Sequence, residues 1–365
     1  MNPVVTLDAR MIHSAGIGTY LQGLLPRLVR LRPDYQFRLL GRSTQLQAFD
    51  WTKAPNVQVI NCIAPIYGVR EQLEMSKKIP RDTDLFWSPH YNIPLFFKGK
   101  LLVTVHDVFH LAMPQYTGGL HKRLYAKFMF SSVRKKAAAI LCVSRFTQGE
   151  LLKYTGAEGT QPEVVYNGVD ESWRKIAPGP NPRTRPYILY VGSVKPHKNL
   201  LGLIEAFEKV KDRIAQDLVI VGKKEGFITG DRKVMDRAES LGDRVHFTGE
   251  FQHGEEVFRQ YYTHADFLVL PSLYESFGLP VLEAMACGCP TLVSNLAAFP
   301  EVYGEAACYC NSYQFDDIAD KLLLLAWDPN LRNEFSKKGL EKAKTYTWDK
   351  SADGVLNVME RILKP

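Results

Sequence analysis

No stretch of this 365-residue sequence approaches the roughly 20 consecutive apolar residues that a bilayer-spanning helix needs. The longest candidate, Leu322 to Ala326, is far too short. The opening residues, Met1-Asn2-Pro3-Val4-Val5-Thr6-Leu7-Asp8, lack a basic segment followed by an apolar run, so no secretory leader is expected. Cysteine is sparse, with six residues: Cys62, Cys142, Cys287, Cys289, Cys308 and Cys310. Neither close pair has the C-x2-C spacing of a zinc site, and buried reduced thiols are expected instead. There is no fixed-period repeat and no low-complexity tract. The expectation is a cytoplasmic protein, with a peripheral place on the inner face of the cell membrane left open.

What the chain does contain is ordinary for a soluble globular protein: 45% hydrophobic and 23% charged residues. Its length favours two domains. The charge is uneven. Residues 1–180 hold 23 Lys and Arg against 13 Asp and Glu, whereas the rest hold 23 against 26. A basic first half suits an anionic partner, such as a membrane surface or a phosphate-bearing acceptor; a solvated basic face is the alternative. No nucleic-acid recognition motif accompanies it, and no nucleic acid is expected as a partner.

Short apolar runs alternate with amphipathic stretches. Strands are expected at Val4–Leu7, Phe37–Leu40, Val57–Ile60, Leu85–Trp87, Leu101–Val105, Ile140–Val143 and Val164–Tyr166, with helices such as Gly18–Arg30 and Leu120–Lys136 between them. Residues Ala177-Pro178-Gly179-Pro180-Asn181-Pro182 disfavour both helix and strand and read as a linker. The rhythm restarts at Ile188–Val191, Leu218–Val221, Val245–Phe247, Phe267–Leu270 and Thr291–Val293, and the C-terminus is helical from about 329 to 362. Alternation of this kind predicts an α/β protein with two mostly parallel sheets, in domains 1–178 and 183–347. Ligands in such folds bind at the carboxyl ends of the strands.

Four segments carry chemistry. In Pro271-Ser272-Leu273-Tyr274-Glu275-Ser276-Phe277-Gly278-Leu279-Pro280-Val281-Leu282-Glu283, a strand runs into a loop and the loop into a helix. The helix N-terminus offers amides to an anion, with Glu275 and Glu283 flanking it as acceptors for sugar or ribose hydroxyls. The alternative is one loop glutamate and one helix-surface glutamate. In Gly192-Ser193-Val194-Lys195-Pro196-His197-Lys198-Asn199, Lys198 is either a phosphate partner or a surface lysine. After Leu101–Val105 come His106 and Asp107, a weak pair on their own. Gly16-Ile17-Gly18 follows the first strand and lets backbone approach a ligand, yet lacks the third glycine of a dinucleotide fingerprint. The D-x-D spacing of Asp82 and Asp84 reads as a strand-entry loop, and His253 and His264 have no partners at metal-ligand spacing.

The long ordered segment from Glu275 to Glu283, with Phe-Gly-Leu-Pro inside it, resembles the donor-site signature of glycosyltransferase family 4, a group of retaining GT-B enzymes. The resemblance runs from about residue 10 to 350. It implies a GT-B fold of two facing Rossmann-like domains with an interdomain cleft, and a helix 348–365 that crosses back to the first domain. It assigns Glu275 to the donor hexose and Glu283 to the ribose. The backbone from Ser276 through Phe277, Gly278 and Leu279 goes to the sugar and diphosphate. Lys198 matches the family's lysine, next to Gly192. Ser193 stands where many members have arginine, and Lys195 is a candidate replacement. His106 becomes a donor-sugar contact near the reacting carbon, and Gly16 and Gly18 a loop near the diphosphate and acceptor.

The resemblance implies hexosyl transfer with retention, needing no metal and no resident cofactor. His106, Lys198 and Glu275 are the candidate catalytic residues. The donor is a nucleotide sugar, with GDP-mannose favoured over a UDP-hexose because the His-Asp and Pro-His-Lys-Asn segments look like those of bacterial mannosyltransferases. The acceptor is a glycan or a lipid-linked molecule in polysaccharide biosynthesis. The rival is a catalytically decayed nucleotide-sugar or polysaccharide-binding module, for which Ser193 is the one favourable feature.

Overall fold

The computed structural model describes residues 2–176, 179–222, 232–249, 251 and 255–364. The chain divides into two compact units, 1–168 with 348–365, and 169–347. The first is built on a seven-stranded sheet: β1 (Val4–Asp8), β2 (Gln36–Gly41), β3 (Val57–Asn61), β4 (Leu85–Ser88), β5 (Lys100–Val105), β6 (Ala139–Cys142) and β7 (Pro162–Val164). Their spatial order is β3-β2-β1-β4-β5-β6-β7, and every pairing is parallel. Helices on both faces explain why β4 and β6 are buried throughout, and apolar but for Ser88, rather than alternating. The core on one side joins Phe86, Val103, Met129, Phe130, Val133 and Ile140.

The second unit repeats the design with β8 (Tyr187–Val191), β9 (Asp217–Val221), β10 (Val245–Gly249), β11 (Phe267–Leu270), β12 (Thr291–Ser294) and β13 (Cys308–Cys310). Their order is β10-β9-β8-β11-β12-β13, again all parallel. In each sheet the winding reverses once, between β1 and β4 and between β8 and β11. At such a switch point the two adjoining loops leave in opposite directions and open a crevice.

The second unit begins at Val169, before the expected linker. Val169 pairs with Thr347 and donates its N–H to the Tyr346 carbonyl at 3.2 Å. Trp173, buried, then stacks edge-on against Tyr262 and Phe258. Residues 177 and 178 of the proline-rich segment, and His253, lie outside the described residues. The final helix, Trp348–Leu363, belongs to the first unit. Trp348 lies against the bare backbone of Gly23, where a Cβ would come within 2.4 Å of the indole, and Ser351 donates to the Tyr166 carbonyl at 2.6 Å.

Two expected elements differ. The last strand of the first sheet is Pro162–Val164, not Val164–Tyr166, because Ile140 to Cys142 pair with 162–164. The first helix starts at Ala15, so Gly16 and Gly18 lie in its first turn rather than in a loop before it. The D-x-D residues serve the sheet's other end: Asp82 grips Arg38 at 2.5 Å, and Asp84 accepts the Val4 N–H at 2.8 Å. Among the described residues no helix is long and apolar enough to cross a membrane.

Candidate active site

The two loops flanking the second sheet's switch point meet. The loop after β8 runs from Gly192 through a short 3-10 turn, Pro196–Lys198. The loop after β11 runs from Pro271 to the helix Leu279–Ala286. The Leu273 N–H donates to the His197 carbonyl at 2.8 Å, tying one loop to the other. Lys198 Nζ then forms an ion pair with Glu275 Oε1, with both side chains largely buried, at 21% and 13% exposed. Fixed loops thus bring together two residues 77 positions apart.

The donor-signature loop is anchored from beneath. The Ala298 N–H donates to the Glu275 carbonyl at 3.1 Å. The Tyr303 hydroxyl donates to the Phe277 and Gly278 carbonyls at 3.1 and 2.7 Å. Burial pushes the Tyr303 phenol well above its ordinary range, and the charges of Glu275 and Glu283 add to the shift. One phenol therefore senses both carboxylates. Gly278 has φ 86°, and a Cβ there would lie 2.5 Å from the Phe299 ring, so glycine is required on both grounds. Without a side chain Gly278 cannot cap the helix that it opens, and a first turn of this kind suits an external anion. Leu279 is the helix's first residue and Pro280 follows.

Glu283 sits in that helix, 6% exposed, and accepts a hydrogen bond from the buried Tyr262 hydroxyl at 2.9 Å. Burial, then the Glu283 charge, drives the Tyr262 phenol well above its ordinary range and keeps it a donor. Tyr262 escaped the sequence reading because nothing in its local pattern marks it. Gly192 continues β8, donating to the Val221 carbonyl at 3.0 Å. The Ser193 carbonyl accepts from Tyr190 Oη at 3.3 Å and from the Lys195 N–H at 2.9 Å. Lys195 is exposed. Burial, then the charges of Lys198 and Lys195, lowers the His197 imidazole to about 3, so it stays neutral between the two ammonium groups.

In the first unit, His106 follows β5. Its ring meets Tyr20 edge-on at 4.7 Å. Burial, then the neighbouring His90, lowers its pKa to about 4, against a partial upward push from a hydrogen bond to the Pro89 backbone. Proline has no N–H, so His106 donates to that carbonyl. Its Nε2 is buried and has no partner among the described residues. Nδ1 is therefore the donor, and Nε2 presents a lone pair suited to a hydroxyl. Gly16 has open space where its side chain would be, whereas a Cβ on Gly18 would lie 2.7 Å from the Ile12 carbonyl oxygen. Close packing inside the unit thus accounts for Gly18, and Gly16 alone leaves backbone open to approach.

A second cluster lies at the carboxyl end of the first sheet, beyond what the sequence spacing revealed. Asp8, the last residue of β1, takes two hydrogen bonds from the Arg10 guanidinium, at 2.8 and 2.6 Å, a third from the Arg10 backbone N–H at 3.1 Å, and one from His90 Nε2 at 3.0 Å. Arg10 also bonds Glu71 at 2.5 Å, and Asn92 donates to Glu71 in turn. Burial alone would raise Asp8, but the hydrogen bonds and charges of Arg10 and His90 outweigh it and hold the carboxyl well below the usual range. Asp8, Glu71 and His90 place ligand atoms within 4.8 Å of one another, as a metal site would. The Arg10 guanidinium already occupies the cation's role between the two carboxylates, so the donor set fits an internal ion network better than a metal.

Two family models cover almost the whole chain: "Glycosyltransferase Family 4" matches residues 15–173 and "Glycosyl transferases group 1" residues 171–342. O-antigen chain mannosyltransferase B of Escherichia coli is 25% identical over 289 residues, which is 75% of this chain and 73% of that protein. O-antigen chain mannosyltransferase RfbU of Salmonella typhimurium is 29% identical over 230 residues, covering 62% of this chain and 60% of that protein. Among solved structures, Anabaena HepE in complex with UDP-glucose superimposes with a TM-score of 0.79 over 98% of this chain and 99% of HepE, at 15% identity. The paired glutamates, the lysine joined to the first of them and the matched halves agree: the chain belongs to the group 1 glycosyltransferases of GT-B fold, family 4 type, and is a hexosyltransferase of glycan biosynthesis.

Proposed function

We propose that this enzyme transfers mannose from GDP-mannose, with retention of the anomeric configuration, to a hydroxyl of a glycan or lipid-linked acceptor. The observation that carries the mechanism is the Lys198–Glu275 pair at the switch point. Glu275 accepts hexose hydroxyls, the Tyr262-held Glu283 accepts the ribose hydroxyls, and the first turn at Gly278–Leu279 faces the diphosphate. His106 Nε2 accepts a further hexose hydroxyl. Both glutamates have binding roles, so neither serves as a nucleophile.

Transfer then runs on one face of the sugar. The bond from C1 to the diphosphate oxygen breaks, the acceptor oxygen bonds to C1, and the acceptor proton passes to the departing diphosphate. Negative charge grows on that diphosphate, and Lys198 with the helix amides stabilises it. Lys198 takes the cationic role without a divalent ion, and Ser193 contributes no second cation. The mannose assignment draws on the two O-antigen mannosyltransferases, and HepE's UDP-glucose makes that donor the natural competitor. A panel of nucleotide sugars, scored by release of nucleoside diphosphate, tests the choice. GDP-mannose should give the highest kcat/KM, and preference for a UDP-hexose would reject mannose while keeping the chemistry.

A further inference from the structure

The helix Leu120–Lys136 exposes a surface that the transfer chemistry does not use. Leu120, Leu124 and Phe128 recur at four-residue steps, which places them in one row along the helix. They are 69%, 57% and 56% exposed. The opposite face is already spent on the core through Ala126, Met129, Phe130 and Val133. Scattered exposed apolar residues are ordinary, but a contiguous row marks an interaction surface.

The exposed charge on this helix is of one sign, and Arg123, Lys127 and Lys135 lie on the row's side of it, within about 100° of the row's centre at 3.6 residues per turn. Lys122, Arg123, Lys127, Lys135 and Lys136 are all exposed, and the helix contains no Asp or Glu. Among the described residues none of these five forms an ion pair. Lys136 Nζ donates to the Leu95 carbonyl, and the adjoining Phe96 is 65% exposed. Phe96 thus adds an exposed apolar side chain near the C-terminal end of the helix. A second copy of the chain would bring like charge against like. An anionic bilayer matches both features, because its acyl boundary takes apolar side chains while its headgroups attract lysine and arginine.

We propose that this helix face docks the enzyme on an anionic lipid bilayer surface. The docking rests on residues outside the donor loop, and it places the transferase where a lipid-linked acceptor resides. The test uses the full chain with vesicles of phosphatidylcholine, with and without phosphatidylglycerol, across a salt series. Variants are Leu124→Ser with Phe128→Ser, and Arg123→Gln with Lys127→Gln. All four positions are solvent-exposed, and a thermal melt with the wild-type midpoint reports that each variant is folded. The wild type should sediment only with anionic vesicles, and less as salt rises. Each basic residue removed should weaken partitioning roughly fivefold, and the apolar pair should weaken it at least about tenfold. Lys198→Ala should lose turnover yet keep vesicle binding, which separates failure of docking from failure of the transfer mechanism. Equal partitioning to neutral and anionic vesicles, or variants that partition like the wild type, would overturn the proposal. A Phe128-dependent dimer in solution would overturn it too, assigning the face to a second copy.

Discussion

Lys198→Ala removes the ammonium that joins the two loops at the second sheet's switch point, and two losses follow. One is stabilisation of the leaving diphosphate: deleting a preorganised group of this kind typically costs about 3–4 kcal/mol of barrier, or roughly 10²–10³ in kcat. The other is the partner of Glu275, whose side chain is only 13% exposed. Exposed pairs are worth about 0–1 kcal/mol and broken buried ones about 3–5, so this intermediate pair should cost about 1–3 in loop stability. Glu275→Gln separates the two effects, because it keeps the side chain's shape and frees Lys198 from its counter-charge. Steady-state kinetics with GDP-mannose, and calorimetric titration with GDP and GMP, give the readout. Lys198→Ala should lower kcat far more than it weakens GMP, since GMP lacks the second phosphate. Full turnover in Lys198→Ala, or equal losses for GDP and GMP binding with kcat intact, would refute the role assigned to the ammonium.

Tyr262→Phe removes the donor to Glu283 and should weaken GDP binding by about 1–1.5 kcal/mol, near tenfold; an unchanged affinity would detach Glu283 from the ribose. Gly278→Ala meets a positive φ, worth about 1–2 kcal/mol, and the Phe299 ring besides, so nucleotide binding should collapse, whereas wild-type affinity would show that the loop is not held as described. His106 should remain neutral from pH 8 down to about 5, since its folded pKa is near 4; a histidine NMR titration with its midpoint near 6.5 would contradict that burial. Keeping it neutral costs stability only as pH falls below ~6.5, the unfolded value. Asp8 has the depressed pKa of an ion-paired carboxyl. Its contribution is therefore complete above about pH 4 and is lost as pH falls further. Asp8→Asn should flatten that acid limb in thermal melts, and an unaltered limb would rule Asp8 out as its source.

The sequence made legible what depends on local order. Glu275, Gly278 and Glu283 lie within nine residues on a loop and the helix that it opens, so the local order marked them as one segment; the helix Leu120–Lys136 was readable from end to end. Lys198 was visible as a loop lysine, but its partner was not, because the Leu273–His197 bond that registers the two loops is a tertiary fact. Distance in sequence hid the rest. Arg10 and Glu71 are 61 positions apart and Asp8 and His90 82, with no spacing to announce the network. Gly18 read as ligand-facing, yet the crowded Ile12 carbonyl explains it. The proline-rich stretch suggested a boundary, but Trp173, ten residues earlier than Arg183, is already packed on Tyr262 and Phe258.

The central claim is metal-free transfer with retention, its leaving group stabilised by Lys198. Proton NMR of the product's new anomeric centre, formed from GDP-mannose with and without a chelator, tests it most directly. The account predicts an α-mannosyl product whose rate of formation is unchanged by chelation. A β-linked product, or activity lost on chelation and restored by a divalent ion, would contradict it.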